Sequence, residues 1–277
     1  MAGQWDIGAE SFELEKQSLV MGILNATPDS FSDGGRFHER ERAVAHGLAM
    51  WREGADFIDV GGESTRPGAQ AVTEEEERAR VVPVVEALAA AGVRVSVDSS
   101  KAEVARAALA AGACVVNDVC GLRDERMVEV CAAADCGVVV MHMQGDPRTM
   151  QREPSYQDVV AEVRAFFEER YGTLQAAGIA AGRICFDPGI GFGKSLEHNL
   201  ALLKGLPELQ VAGRPLLIGI SRKSLIPALI GEGSEEARSW GTLALTAWTH
   251  EQGARVHRVH EVEANRQALR LVEKLRG

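Results

Sequence analysis

Eight short apolar runs cross this chain, and nearly every one ends on a polar or charged residue. Leu19–Leu24 leads into Asn25, Phe57–Ile58 into Asp59, and Val93–Val97 into Asp98. Val115–Val116 leads into Asn117 and Asp118, Val138–Met141 into His142, and Ile184–Phe186 into Asp187. Leu216–Ile220 leads into Ser221, Arg222 and Lys223, and Val256–Val259, which carries Arg258, leads into His260. A buried strand needs apolar side chains along its length but not at its tip. Eight polar tips therefore point to one convergent site, because a (β/α)8 barrel brings all its C-terminal strand ends to one face.

The segments between the tips carry helical periodicity. Val81, Val84, Val85 and Leu88 give one apolar face to a helix over Thr73–Ala91, with Thr73 and Glu76 spaced as a capping box. Val163, Phe166, Phe167, Tyr171 and Leu174 do the same near Gln157–Ala177, and Ala268, Leu271, Val272 and Leu275 near the C-terminus. Further helices are expected near Glu39–Arg52, Lys101–Ala111, Asp124–Ala134, Leu196–Lys204 and Glu236–Glu251. Gly54, Gly92, Gly112, Gly178 and Gly253 fall where left-handed helix C-caps belong. Strict strand–helix alternation predicts a parallel sheet with right-handed crossovers. An open doubly wound sheet would concentrate its site at a switch point rather than polarise every tip, and no G-x-G-x-x-G follows the first run.

The expected fold is a single α/β domain, a (β/α)8 TIM barrel with long βα loops 1, 2 and 5. Its 277 residues suit one such barrel. Residues 1–17 read as an N-terminal extension and 18–277 as the barrel. A net charge of −10 argues against sequence-independent nucleic-acid binding, so any positive charge toward an anionic ligand must be local. Five cysteines without paired CxxC spacing read as reduced, and neither a signal peptide nor a membrane span is evident, so the cytoplasm is expected.

Three polar insertions stand out: NATPDSFSDGG (Asn25–Gly35), GGESTRPGA (Gly61–Ala69) and HMQGDPRTMQREPS from His142. Long loops in compact domains serve more often as lids or binding loops than as idle connectors.

Taken in order, MGILNATPDSFSDGG, IDVGGESTRPGA, SVDSSK, VVNDV, MHMQG, FDPGIGFGK, GISRKS and RVHEV resemble the motifs of dihydropteroate synthases. The likeness runs from Leu19 to Leu275. It implies a transferase that joins 6-hydroxymethyl-7,8-dihydropterin pyrophosphate to p-aminobenzoate, giving 7,8-dihydropteroate and pyrophosphate. It also implies Mg²⁺, sensitivity to sulfonamides and a homodimer.

Residue by residue, the resemblance puts Asp187 at the pterin's amino-pyrimidinone edge, where one carboxylate can accept both N–H donors. Asn117 and Asp98 line the same pocket, Lys223 faces the ring carbonyl and nitrogen, and Met141 and Phe192 touch the ring. Asp59 and Gly219 are placed in the same substrate-binding set. Arg258 and His260 match the anion-binding pair for pyrophosphate, and Asn25 matches the Mg²⁺ ligand. Thr65, Arg66 and Pro67, with Ser224, match the p-aminobenzoate site, over which Phe31 could close. Asp98, Lys223, Arg258 and His260 are assigned to catalysis: Asp98 beside a cationic pterin, the others around it and the departing anion. Alone, Arg258 would be a surface charge, Asn25 a strand cap and Met141 a core residue. His142 reads as a structural strand-end group.

Departures from the family pattern are Ser99 for threonine, Glu261 for aspartate and Ala26 for valine; Glu261 could alter how His260 is held. Two alternatives stay open. One is a catalytically silent paralogue that binds pterin; the other is a methyltetrahydrofolate–corrinoid methyltransferase domain, which would explain neither the long first two loops nor Arg258 and His260.

Overall fold

A computed structural model describes residues 3–15, 17–27, 35–64, 71–145, 149–150 and 153–276, with backbone alone for 35–37. An antiparallel pair, β1 (Gln4–Ile7) and β2 (Glu10–Glu13), precedes eight strand–helix units. They run β3 (Leu19–Asn25), α1 (Gly35–Arg52), β4 (Phe57–Gly61), α2 (Glu74–Ala90), β5 (Val95–Asp98) and α3 (Ala102–Ala110). Next come β6 (Val115–Asp118), α4 (Glu125–Ala133), β7 (Gly137–Met141), α5 (Val159–Ala176), β8 (Ile184–Asp187) and α6 (Leu196–Lys204). The last units are β9 (Leu217–Ile218), α7 (Leu225–Ile230), α8 (Glu235–Glu251), β10 (Val256–Val259) and α9 (Val262–Arg276).

The eight-stranded sheet is parallel throughout, in the order β8-β7-β6-β5-β4-β3-β10-β9. A bridge from Phe186 to Leu216 brings its two edges together, with the Phe186 N–H donating to the Pro215 carbonyl at 2.9 Å. This is the expected (β/α)8 barrel. Among the described residues the longest βα connections follow β3, β4 and β7 (26–34, 62–73 and 142–158), as expected. Helix ends obey local chemistry: Thr73, Asp124, Asp158 and Ser195 each accept a backbone N–H as N-caps. The five return glycines have φ between +79° and +106°.

Because side chains alternate along a strand, each barrel strand sends every second residue into the lumen. At the lower end these are Leu19, Met21, Phe57, Val115, Val139, Cys185, Leu217 and Val256, a separate apolar cluster from the strand–helix layer. Trp5, Ile7 and Leu14 belong to the same cluster. So the segment before the first barrel strand is a hairpin stopper. Trp5 is fully buried, its Nε1–H donates to the Arg183 carbonyl at 2.9 Å, and its ring lies 5.7 Å from that of Phe57.

One helix face differs from expectation. Helix α9 buries Val262, Asn265, Arg266 and Leu269, and leaves Leu271 and Leu275 exposed. The buried face keeps helical spacing, but two of its members are polar groups with specific partners. Asn265 accepts from Thr246 Oγ1 at 2.7 Å, and Arg266 donates to the carbonyls of Ser18 (2.9 Å) and Gly54 (3.0 Å). Leu271 and Leu275 of the more apolar stripe therefore face outward, as do Trp240 and Trp248 of α8. No helix among the described residues is long and apolar enough to cross a membrane.

Candidate active site

Above the apolar floor the same inward positions become polar: Asp59, Ser96 and Asp98, Asn117, Asp187, and then Arg258. The sheet register sets them side by side. Asp59 lies opposite Ser96, Gly61 opposite Asp98, Asp98 opposite Asn117, and Met141 opposite Asp187. On β4, β6, β8 and β10 the lumen thus passes from hydrocarbon to charged or amide side chains within one pleat.

Arg258 dominates the middle of this layer. Its Nε donates to Asp59 Oδ2 and its Nη2 to Asp98 Oδ2, each at 2.6 Å. Asn117 Nδ2 also donates to Asp59 Oδ2 at 3.0 Å, and Asp59 Oδ1 is buried without a partner among the described residues. Burial pushes the Asp98 carboxyl up to about 7, against the pull of the Arg258 charge. Burial works against the Arg258 charge as well, but Asp59 and Asp98 outweigh it and hold the guanidinium above its ordinary value. Arginine suits this place because its planar fork can meet two carboxylates at once and never loses its proton.

A second charged pair lies beside it, on β8 and after β9. Asp187 accepts the Gly189 N–H at 2.7 Å; burial raises its pKa and the Lys223 charge pulls it back. Lys223 is pushed down to about 8 by burial, with Asp187 opposing. Its ammonium donates to the Ile190 carbonyl and lies 4.4 Å from the centroid of the Phe192 ring, a cation–π contact. Gly219 leaves the space between the two groups open: a Cβ there would meet nothing closer than Arg258 Cβ at 3.9 Å, with Asp187 Oδ2 at 4.0 Å. Met141 packs with Val119, Met143 and Met150, and Phe192 lies against that cluster.

His260, at the end of β10, places Nδ1 2.9 Å from Ser221 Oγ. Glu261 turns away from it, accepting from Arg222 Nη2 at 2.9 Å and Ser239 Oγ at 2.8 Å. The longer side chain of Glu261 therefore ties the β9 loop to α8. Asn25 lies exposed at the tip of β3, opposite Gly61. No group of three or more His, Cys, Asp or Glu side chains arranged for a metal occurs among the described residues. A single rim amide nevertheless fits Mg²⁺, which keeps several waters and takes its remaining oxygens from a phosphate ligand. Ser224 is exposed at the start of α7. Thr65, Arg66 and Pro67, like Phe31, lie outside the described residues.

The structure thus brings together Asp59, Asp98, Asn117, Met141, Asp187, Phe192, Gly219, Lys223 and Arg258, with His260, Asn25 and Ser224 on the rim. Asp118 points the other way, its two oxygens accepting the N–H groups of Cys120 and Leu122 at 2.8 Å each. His142 is held neutral, pushed down to about 3 by burial and the Lys194 charge. Sequence reasoning missed the role of Lys194 itself, a buried lysine that closes the FDPGIGFGK motif. It also missed the clasp at the base of the second loop, where Lys101 meets Glu63 and the buried Glu77. The acidic residue two positions after Gly61 and the lysine after SVDSS were its only traces.

Residues 21–260 match the family model described as pterin binding enzyme. The dihydropteroate synthase of Neisseria meningitidis serogroup C is 47% identical over 275 residues, covering 98% of this chain and 97% of its own. Among solved structures, Xanthomonas albilineans dihydropteroate synthase with 4-aminobenzoic acid superposes with a TM-score of 0.92 at 46% identity, covering 100% of this chain and 99% of that one. The Burkholderia cenocepacia enzyme complexed with 7,8-dihydropteroate gives a TM-score of 0.89 at 43% identity, covering 99% and 96%.

Proposed function

Since the chain belongs to the dihydropteroate synthases, a family of pterin-binding enzymes, we propose how its lumen carries out the condensation of 6-hydroxymethyl-7,8-dihydropterin pyrophosphate with p-aminobenzoate. The observation that carries the reading is the placement of Asp59, Asp98, Asn117 and Asp187 around the lumen, with Arg258 and Lys223 against them. A dihydropterin presents adjacent N–H donors and ring acceptors. Asp187 accepts the donors, Lys223 and Asn117 serve the remaining edge, and Met141 and Phe192 cover the faces. A site built this way rejects a ring lacking those groups, because buried polar atoms would go unpaired.

The pterin methylene–oxygen bond breaks first, and both bonding electrons leave with pyrophosphate. The cation left on the methylene delocalises into the dihydropterin ring, and the ionised Asp98 lies close to it. Arg258 and His260 hold the departing anion. Mg²⁺, held by Asn25 at the rim, would neutralise part of the phosphate charge when bound. The arylamine nitrogen then forms the new bond to the methylene and loses one proton to water. An arylamine is unprotonated at neutral pH, so no strong general base is needed. Fixed charges already aimed at both developing charges give catalysis its largest share. Thr65, Arg66, Pro67 and Ser224 are assigned to p-aminobenzoate.

The exposed apolar residues of α7, α8 and α9 (Leu229, Ile230, Trp240, Trp248, Leu271 and Leu275) support a homodimer through that face. The five free cysteines suit a reducing compartment, the cytoplasm.

The test is pyrophosphate release by purified protein with the pterin pyrophosphate, Mg²⁺ and p-aminobenzoate, omitting each in turn. Metal-dependent release accompanied by dihydropteroate is the expected result. Tight pterin binding without turnover would favour a silent binding protein, and absence of pterin binding would sink the site assignment.

A further inference from the structure

Lys194 is 3% exposed, touches no carboxylate among the described residues, and is pushed down to about 7 by burial. Its ammonium instead contacts three backbone carbonyls, those of Phe192 (2.9 Å), Gly189 (3.1 Å) and His142 (3.2 Å), and His142 Nδ1 at 3.1 Å. Two loops are joined through this one group, the one after β7 and the one after β8. The turn after β8 is wound closely enough to aim its carbonyls inward: Gly189, Gly191 and Gly193 have φ of +66°, +83° and +59°. A Cβ on Gly189 would lie 2.0 Å from the His142 carbonyl oxygen, and one on Gly193 2.7 Å from that of Gln144. Only glycine permits both the left-handed backbone and the close approach. Tyr156 Oη donates to the Gly193 carbonyl at 2.8 Å, and Asn199 accepts the Gly191 N–H at 2.7 Å. Those bonds hold the outer side of the turn and the ammonium holds the inner side.

The outer face of the same turn supplies what Lys223 touches, the Ile190 carbonyl and the Phe192 ring. We infer that Lys194 is a positioning residue for the pterin half of the site: an internal cation, supplied by the chain, around which the glycine turn is wound so that Ile190 and Phe192 fix the Lys223 ammonium opposite Asp187. The inference rests on the proposed pterin site. A buried ammonium is costly unless its three donors are used, and here they find acceptors on the segment that must stay in place (Gly189 and Phe192) and on His142 beside it.

The experiment compares wild type with Lys194→Met, which fills the stem's space but takes the ammonium's N–H donors away from the Phe192, Gly189 and His142 carbonyls. Lys194→Gln, which keeps two N–H donors, is read the same way and serves should the methionine variant not fold. The expected result is a KM for the pterin pyrophosphate raised at least about tenfold, with the KM for p-aminobenzoate changed less than about twofold. Lys194→Ala supplied with propylammonium should recover the pterin KM, whereas propanol should not. Hydrogen exchange of the 189–193 amides in the ligand-free protein should quicken about tenfold or more in the variants, while the rest of the barrel keeps its protection. A pterin KM within twofold of wild type, or both KM values rising alike, overturns the positioning role. Unchanged exchange at 189–193 overturns the tether, whatever the substrate. Wild type that forms no dihydropteroate would sink the functional reading alone, since the exchange measurement uses no substrate.

Discussion

With Arg258 donating to Asp59 and Asp98 at 2.6 Å each, the charge on Asp98 and the grip on the guanidinium are coupled. Asp98 is pushed up to about 7 and Lys223 down to about 8, both by burial. If Asp98 must be ionised and Lys223 protonated, kcat/KM for the pterin substrate rises through pH about 7 and falls through about 8. Arg258 is what pulls the Asp98 value down, so Arg258→Ala should move the acid limb to higher pH. It should also lower kcat/KM on the plateau by about 10²–10³-fold. Initial rates across pH check both, and Asp98→Asn should abolish the acid limb altogether; a limb that survives that substitution belongs to another group. The residue types of this layer were legible as polar strand tips. Their pairing was not, because Arg258 lies 199 and 160 residues along the chain from its two carboxylates. Lys194 was equally hidden: nothing local distinguishes a lysine that reaches solvent from one that turns inward onto carbonyls.

At the level of elements, units marked by an apolar run or by helical spacing were legible even when short, and the hairpin and the partly polar face of α9 were not. Helix α5 buries Val163, Phe167 and Leu174 as its stripe requires. The hairpin escaped because β1 and β2 hold four residues each, too few to establish alternation. The face of α9 was misread because its buried contacts run through Asn265 and Arg266, which a count of apolar residues passes over. The hairpin's weight in the fold is measurable. Trp5 is fully buried and hydrogen-bonded, so Trp5→Ala should cost about 3–5 kcal/mol in urea unfolding. Lying at the opposite end of the lumen from Asp187, it should leave the pterin KM of the folded protein within about twofold. A loss below about 1 kcal/mol would mean that the barrel floor packs without the stopper.

For the molecule as a whole, the outward apolar face of α7–α9 is the feature a lone barrel does not need. Trp240 and Trp248 stand two turns apart on α8, with Ala244 between them, and Leu275 on α9 is 79% exposed. Sedimentation should give twice the chain mass for wild type, and Trp240→Glu or Leu271→Asp should raise the dimer dissociation constant at least about a hundredfold, or ~2.7 kcal/mol. An unchanged mass in both variants would place any contact elsewhere. The general plan, eight tips around one mouth, could be read because it repeats eight times along the chain; an outward apolar face occurs once and has no period to reveal it. At the other end, Trp5, Ile7 and Leu14 seal the lumen below the polar layer, so among the described residues the lumen is a well with its doorway at the polar end. Whatever rests on Asp187 and Asn117, both nearly closed to solvent, has to arrive before its neighbours and leave after them. What sits deepest leaves last, so pyrophosphate, which entered joined to the pterin, must clear that doorway before the finished pteroate can rise behind it.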